Sequence, residues 1–195
     1  MSTLTETEIA KLIQASKTGD HQAMSQLIDF YSSSVHKLIY SILRDSQIVE
    51  DLAQETFIRM LTSLDHYEFR APFHAWLYRI AVNLCRDHLR KKKVRHIVGR
   101  FKFDEESGAE EEFVDPHQDP TADVQNSEKW QLIENALSRL HDSSRTVFVL
   151  REIKDLSYEE IAETLNWKIG TVKSRLFRAR RELADLLGPH LEELR

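Results

Sequence analysis

The chain has 195 residues, of which 41% are hydrophobic and 30% charged, with a formal net charge of -5; this is enough apolar material for one or two small cores. No apolar run approaches the roughly 20 residues that cross a bilayer, and one cysteine, Cys85, excludes an intrachain disulfide or a CxxC metal site. The nine histidines form no HExxH or paired-ligand spacing, so neither a metal nor any other cofactor is expected.

The N-terminal stretch MSTLTETEIAKLIQ carries acids where a signal peptide has a basic region, and it has no apolar core. A cytoplasmic, reduced setting is expected. With five glycines and four prolines in the chain, apolar residues recurring at three- and four-residue steps predict helices throughout. The first runs from about Glu6 to Lys17 and stops at Thr18-Gly19-Asp20. A second, about His21 to Leu43, puts Leu27, Phe30, Tyr31, Val35, Leu38, Ile39 and Ile42 on one broad face. The third follows Asp45-Ser46 and continues through VEDLAQETFIRML to about Leu64. After the loop SLDHYEFRAP, a fourth helix is predicted from Pro72, a residue suited to a first helical turn, to Lys93.

Periodicity is lost between Val94 and Gln125. Residues 104–125 contain nine acids and no Lys or Arg, against 15 basic and 11 acidic residues before them and 12 of each after. The whole negative balance thus lies in one short segment, as expected of a solvated tether. The predicted architecture is all-α: two small helical domains, 1–94 and 126–195, joined by a flexible acidic linker over 95–125. Apolar steps return between Thr121 and Leu140 with Val124, Trp130, Ile133, Ala136, Leu137 and Leu140. A loop at HDSS precedes TVFVLREI.

The segment SYEEIAETLNWKIGTVKSRLFRARREL then reads as helix, tight turn, helix. Ser157 stands three residues before Glu160, the spacing of a capping box, in which each side chain satisfies the other's orphan backbone N–H. Ile161, Ala162 and Leu165 face inward from the first helix. In the second, Val172, Leu176, Ala179 and Leu183 form a buried stripe, with Lys173, Ser174, Phe177, Arg178 and Arg181 on another face. Between Lys168 and Arg181 there are six basic residues and no acid. This is a helix-turn-helix whose second helix suits a major groove, with Arg and Lys donors matched to guanine edges and phosphates.

In the first domain, RAPFHAWLYRIAVNLCRDHLRKKKVR joins aromatics to a basic tail. Phe73 and Trp76, with Leu77, Ile80, Ala81 and Leu84, are expected in the core. Arg79, Asn83, Arg86 and Arg90 share a more exposed side; Tyr78 can either pack inside or stack on an unpaired base. Cys85 is expected to be a small packed residue. In DLAQETFIRML, Phe57, Met60, Leu61 and Leu64 edge the core, while Asp51, Gln54, Glu55 and Ile58 lie together on an adjacent face. No nucleophile stands beside a base and no metal set converges, so an enzyme is not expected. A ligand-sensing regulator would explain the helix-turn-helix but not the aromatic and basic helix before the linker, and a protein-only adaptor leaves Lys173, Arg175 and Arg178 without a role.

DLAQETFIRML, FHAWLYRIAVN with its basic helix end, and LSYEEIAETLNWKIGTVKSRLFRARREL together resemble the alternative sigma factors of bacterial RNA polymerase, in the short two-domain form of the extracytoplasmic-function (ECF) subfamily. That resemblance implies a transcription initiation factor, with core RNA polymerase and promoter DNA as partners. It places Asp51, Gln54, Glu55 and Arg59 on the surface that docks on the clamp helices of the β′ subunit, with the β subunit a further contact. It assigns Asn83, with Tyr78, Arg79, Arg86 and Arg90, to the element that opens the −10 DNA and captures an extruded base. Thr171, Lys173, Ser174, Arg175, Phe177 and Arg178 would lie at the −35 element, with Lys173, Ser174, Phe177 and Arg178 facing its bases, while Arg175 and Arg180 would meet phosphates. It also implies an anti-sigma factor, with no membrane insertion of this chain; a membrane-bound anti-sigma factor would hold it at the inner face. One departure stands out: Phe69 occupies a loop position where the family often carries glycine.

Overall fold

The computed structural model describes residues 4–102 and 124–190. Eight α-helices are present among them: α1 (Glu6–Lys17), α2 (His21–Leu43), α3 (Val49–Ser63), α4 (Phe73–Lys102), α5 (Val124–Arg139), α6 (Asp142–Phe148), α7 (Tyr158–Leu165) and α8 (Ile169–Leu187), with short helical turns at Ser46–Ile48, Leu64–His66, Val149–Ile153 and Gly188–His190. No strand occurs among the described residues.

The helix starts follow local chemistry. Thr5 and Glu8 close a capping box at α1, and the Asp20 carboxylate accepts from the Gln22 and Ala23 amides at α2. At α7 the Glu160 carboxylate accepts from the Ser157 amide at 2.7 Å, and Ser157 Oγ accepts from the Glu160 amide at 3.1 Å, as the spacing predicts. Asn166, at φ 53°, ends α7 in the left-handed region, where Asn is better tolerated than most residues. Helix α4 departs from expectation: it runs through Lys93 and Val94 to Lys102. No proline or cap interrupts VRHIVGRFK, so loss of apolar periodicity did not mean loss of helix. The acidic segment expected to form the linker falls largely at 103–123, outside the described residues.

Two separate cores were the natural expectation; the buried cluster of the first domain instead continues into the second. Leu27, Leu38, Ile39, Ile42, Met60 and Leu77 from α2, α3 and α4 belong to one cluster with Leu150, Leu156, Ile161, Leu165, Val172 and Leu176. A smaller cluster under α5 and α8 holds Ala136, Leu137, Leu140, Ala179 and Leu183. Polar groups also cross between the halves. Arg145, 5% exposed, donates from Nε to the Ile42 carbonyl at 2.7 Å and from Nη2 to Asp142 at 2.7 Å. Arg44 pairs with Glu134 at 3.0 Å. Lys154 Nζ donates to the Ser34 carbonyl at 2.8 Å. Each buried cation therefore meets an acceptor, without which its desolvation would cost several kcal/mol (roughly).

Candidate nucleic-acid interface

Helix α8 divides by face. Val172, Leu176, Ala179 and Leu183 are buried, leaving Lys173, Ser174, Phe177, Arg178 and Arg181 exposed on the other side. Phe177 is 67% exposed, a large apolar ring that the fold itself does not use. Lys173 Nζ lies 5.6 Å from the Tyr158 ring centroid, and Ser174 Oγ donates to the Thr171 carbonyl at 3.0 Å. Thr171 is half-buried at the start of the helix. This row of donors around one ring can meet phosphates, base edges and a thymine methyl.

Two residues expected at DNA are engaged elsewhere. Arg175 stacks 4.8 Å from the Trp167 ring centroid and donates to Ser143 Oγ, which turns it along the protein rather than outward. Arg180 donates from Nε and Nη2 to Glu152 at 3.1 and 2.6 Å, so its charge is shared with a carboxylate rather than waiting for a phosphate. Arg175 stands three residues after Val172 and four before Ala179, so its place at the edge of the buried stripe could have been read from spacing. The partners Trp167, Ser143 and Glu152 could not.

On α4, Asn83 is exposed and Arg90 pairs with Asp87 at 3.1 Å on the surface. Tyr78 is withdrawn: it is 6% exposed, its hydroxyl donates to Ser34 Oγ at 3.0 Å, and burial raises its pKa. In this arrangement it packs in the core and presents no face to a base. Arg79 donates to Glu163 of α7 at 3.1 Å, and Arg86 donates to the Leu165 carbonyl at 3.0 Å while lying 5.6 Å from the Trp167 ring centroid. Trp167 thus contacts one arginine from each half. A cavity of about 170 Å³ lies beside these contacts, lined by Tyr67, Trp76 and Arg79 from one half and by Glu160, Glu163 and Thr164 from the other.

Helix α3 presents Asp51, Gln54, Ile58 and Arg59 to solvent with Glu55 half-exposed. Gln54 donates to Glu50 at 2.9 Å and Arg59 to Glu55 at 2.7 Å. His36 bonds Glu50 at 2.9 Å, and this contact is the main reason the Glu50 carboxyl sits below its ordinary pKa. Ile58, 56% exposed, gives this polar face an apolar centre. Cys85 is fully buried, and burial pushes its thiol up to about 12, the state of a packed residue rather than a reactive one. Among the described residues no His, Cys, Asp and Glu group has the makings of a metal site, and no helix is long and apolar enough to cross a membrane.

The comparisons with known proteins fit this layout. Sigma-70 region 2 matches residues 27–95 and Sigma-70 region 4 matches residues 130–183. The ECF RNA polymerase sigma factor SigW of Bacillus subtilis is 37% identical over 187 residues, covering 93% of this chain and 98% of that protein. The RNA polymerase sigma-H factor of Pseudomonas aeruginosa is 32% identical over 197 residues, covering 97% and 99%. Among solved structures, CnrH in complex with the cytosolic domain of CnrY aligns with a TM-score of 0.64 at 25% identity, over 91% of this chain and 96% of that one. RpoE of Bartonella quintana in complex with the anti-sigma factor NepR aligns with a TM-score of 0.64 at 27% identity, over 84% and 96%.

Proposed function

This chain belongs to the extracytoplasmic-function RNA polymerase sigma factors, and from that membership we propose a division of labour over its surface. As a member of that family it is a transcription initiation factor that directs polymerase to promoters, not an enzyme. The exposed face of α3, with Asp51, Gln54, Glu55 and Arg59 around Ile58, docks on the clamp helices of the β′ subunit. Residues 1–94 and the basic continuation of α4 serve the −10 element through Asn83, Arg79, Arg86 and Arg90. The outer face of α8 reads the −35 element through Lys173, Ser174, Phe177 and Arg178. Tyr78 and Arg175 support these surfaces by packing.

The observation that carries the reading is the contrast within α8: a stripe buried completely on one side, and Phe177 exposed among cations on the other. A solvated face has no use for that ring, whereas a base edge does. Tethering both DNA-reading surfaces to one polymerase makes the second contact effectively intramolecular, so neither need bind tightly alone. Arg79 and Arg86, held by Glu163 and the Leu165 carbonyl, must release α7 before they reach DNA. The closed packing is therefore a form held off promoter DNA. An anti-sigma factor is the partner that would maintain it; the RpoE structure, complexed with the anti-sigma factor NepR, supports that assignment. A membrane-anchored anti-sigma factor would keep the chain at the cytoplasmic face.

The test is fluorescence anisotropy of the labelled protein titrated with bacterial core polymerase, without DNA. Saturable binding is expected, weakened about ten-fold or more by Gln54→Ala with Glu55→Ala, the scale of interface residues that matter on truncation. Undiminished binding would move the docking face off α3, and no binding by folded protein would refute polymerase docking.

A further inference from the structure

One residue of the α3 face proposed to dock on polymerase is tied to a second helix. Arg59 donates to Glu55, a pair closed within α3. Gln54 donates from Nε2 to Glu50 Oε1 at 2.9 Å, and the other oxygen of Glu50, Oε2, lies 2.9 Å from Nε2 of His36 on α2. The far side of that ring is held as well, because His36 Nδ1 lies 2.8 Å from the Ser32 carbonyl one turn back in α2. A polar row through Ser32, His36, Glu50 and Gln54 therefore joins the two helices and ends on the docking face.

The chemistry of the row sets its protons. A backbone carbonyl only accepts, so Nδ1 carries a proton towards Ser32. Ser32 Oγ, at 3.4 Å, is the more distant partner, and accepting from it would set the Nδ1 lone pair against the carbonyl. An ionised carboxylate also only accepts, so the contact to Glu50 needs a second proton on Nε2. Both ring nitrogens donate only in the imidazolium form. Glu50 is the matching anion, its carboxyl held below its ordinary pKa by the His36 bond first and the Gln54 bond second. The turn Ser46–Ile48 between the helices contributes no charge. Along α2 the charged and titratable neighbours are Asp29 two turns back, Lys37, whose charge is felt at Lys154, and Tyr40, whose ring centroid lies 4.6 Å from the Arg44 guanidinium.

We propose that His36 is a positioning residue for polymerase docking: as the imidazolium it holds Glu50, and through Glu50 it sets the Gln54 amide before the β′ clamp helices arrive. This rests on the assignment of α3 as the docking face. His36 acts through Glu50 rather than on the partner. Loss of the Nε2 proton turns a donor into a lone pair facing a carboxylate, so the row breaks there and Gln54 is ordered only on binding. Ordering one such side chain at an interface lowers affinity about three-fold. Histidine ordinarily changes charge between about pH 5 and 8, so docking weakens as pH rises through that range.

The test is core polymerase binding by the full chain, read by fluorescence anisotropy at about pH 6 and about pH 8. The parent is compared with His36→Ala, His36→Gln, Gln54→Ala and the double variant His36→Ala with Gln54→Ala. The parent is expected to lose about three-fold more affinity between the two pH values than Gln54→Ala does, since Gln54→Ala still reports the titrations of polymerase itself. At the lower pH, His36→Ala should weaken binding about three-fold in the parent and not at all in Gln54→Ala, because residues acting as one unit are not additive. His36→Gln, whose amide donates to Glu50 without titrating, should keep the affinity seen at low pH and lose the excess pH dependence. Equal losses from His36→Ala with and without Gln54, or the parental pH dependence in His36→Gln, would overturn the proposal. The second criterion stays readable even where His36→Ala loosens the packing of α2 on α3. Parental affinity in Gln54→Ala with Glu55→Ala would refute docking through α3, and this proposal with it.

Discussion

Lys154 makes the packing between the two halves testable by pH. Its ammonium group is half-buried, donating to the Ser34 carbonyl at 2.8 Å and lying 5.4 Å from the Tyr78 ring centroid. Burial first, and the charge of Lys37 second, pull its pKa from 10.5 to about 8. When the halves part, Lys154 returns to water and to its ordinary value. Between pH 8 and 10.5 the parted form then binds more protons than the closed one, so closure strengthens as pH rises through that window. Below about pH 8 both forms are protonated and the cost of withdrawing the charge is fully present. The whole shift would convert to roughly 3 kcal/mol at about 1.4 kcal/mol per pH unit. Because the ammonium is only half withdrawn from water, about 1 to 1.5 kcal/mol is the expected effect, near a ten-fold change in the closed-to-open ratio. Energy transfer between dyes at the exposed positions Thr62 and Glu182 would report that ratio. Cys85 is buried with its thiol pushed up to about 12, so it does not compete for the label. The expected result is a rise in the closed fraction from pH 7.5 to 10, abolished in Lys154→Met, which should also be more closed at neutral pH. Burial raises the pKa of Tyr78 beside it, moving that ionisation upward and away from the Lys154 transition. The same pH rise in Lys154→Met would refute the reasoning.

Two further tests separate surface from support. Arg178→Ala should weaken holoenzyme binding to the −35 duplex about ten-fold, the scale of a lost base contact, without lowering the melting temperature; Arg175→Ala should lower the melting temperature by uncovering Trp167. The reverse pattern would exchange their roles. Ser157→Ala should cost about 0.5–2 kcal/mol in denaturant unfolding, with Ser157→Thr retaining most of the stability, because the side-chain acceptor for the Glu160 amide is lost or kept; equal stability of all three proteins would show the capping box to be idle.

Local order was legible in the sequence because its causes are local. The starts of α1, α2 and α7 lie where Thr5, Asp20 and Ser157 can cap them. The stripe Val172, Leu176, Ala179 and Leu183 is buried as its four-, three- and four-residue steps require. What escaped the sequence depends on partners far along the chain. Tyr78 shares a helix side with Arg79, and only Ser34, 44 residues earlier, makes it a buried hydroxyl. The apolarity of Leu150 and Leu156 announces burial but not against what, so the continuous core joining the two halves was missed. Arg145 reads as a surface cation until the Ile42, Ser138 and Leu140 carbonyls are brought around it.

The two surfaces proposed to read DNA are unequally available in the closed form, and the contacts explain why this is reversible. Phe177, Lys173 and Arg178 are open, whereas Arg79 and Arg86 are tied to α7. The Arg79–Glu163 pair is exposed, at 40% and 63% of its side chains, and such a pair contributes about 0.2–1 kcal/mol because water solvates either partner almost as well. Arg145 and Lys154 are held by carbonyls rather than by carboxylates of the first domain, so parting the halves leaves no carboxylate buried and unpaired behind them. Breaking the polar contacts therefore costs their small net value, not the gross strength of each bond. The apolar area around Leu150 and Leu156 has no such replacement in water. Closure is consequently set by that apolar contact, and the polar groups select its register: they hold Glu163 and Leu165 against Arg79 and Arg86, the arginines proposed to meet promoter DNA.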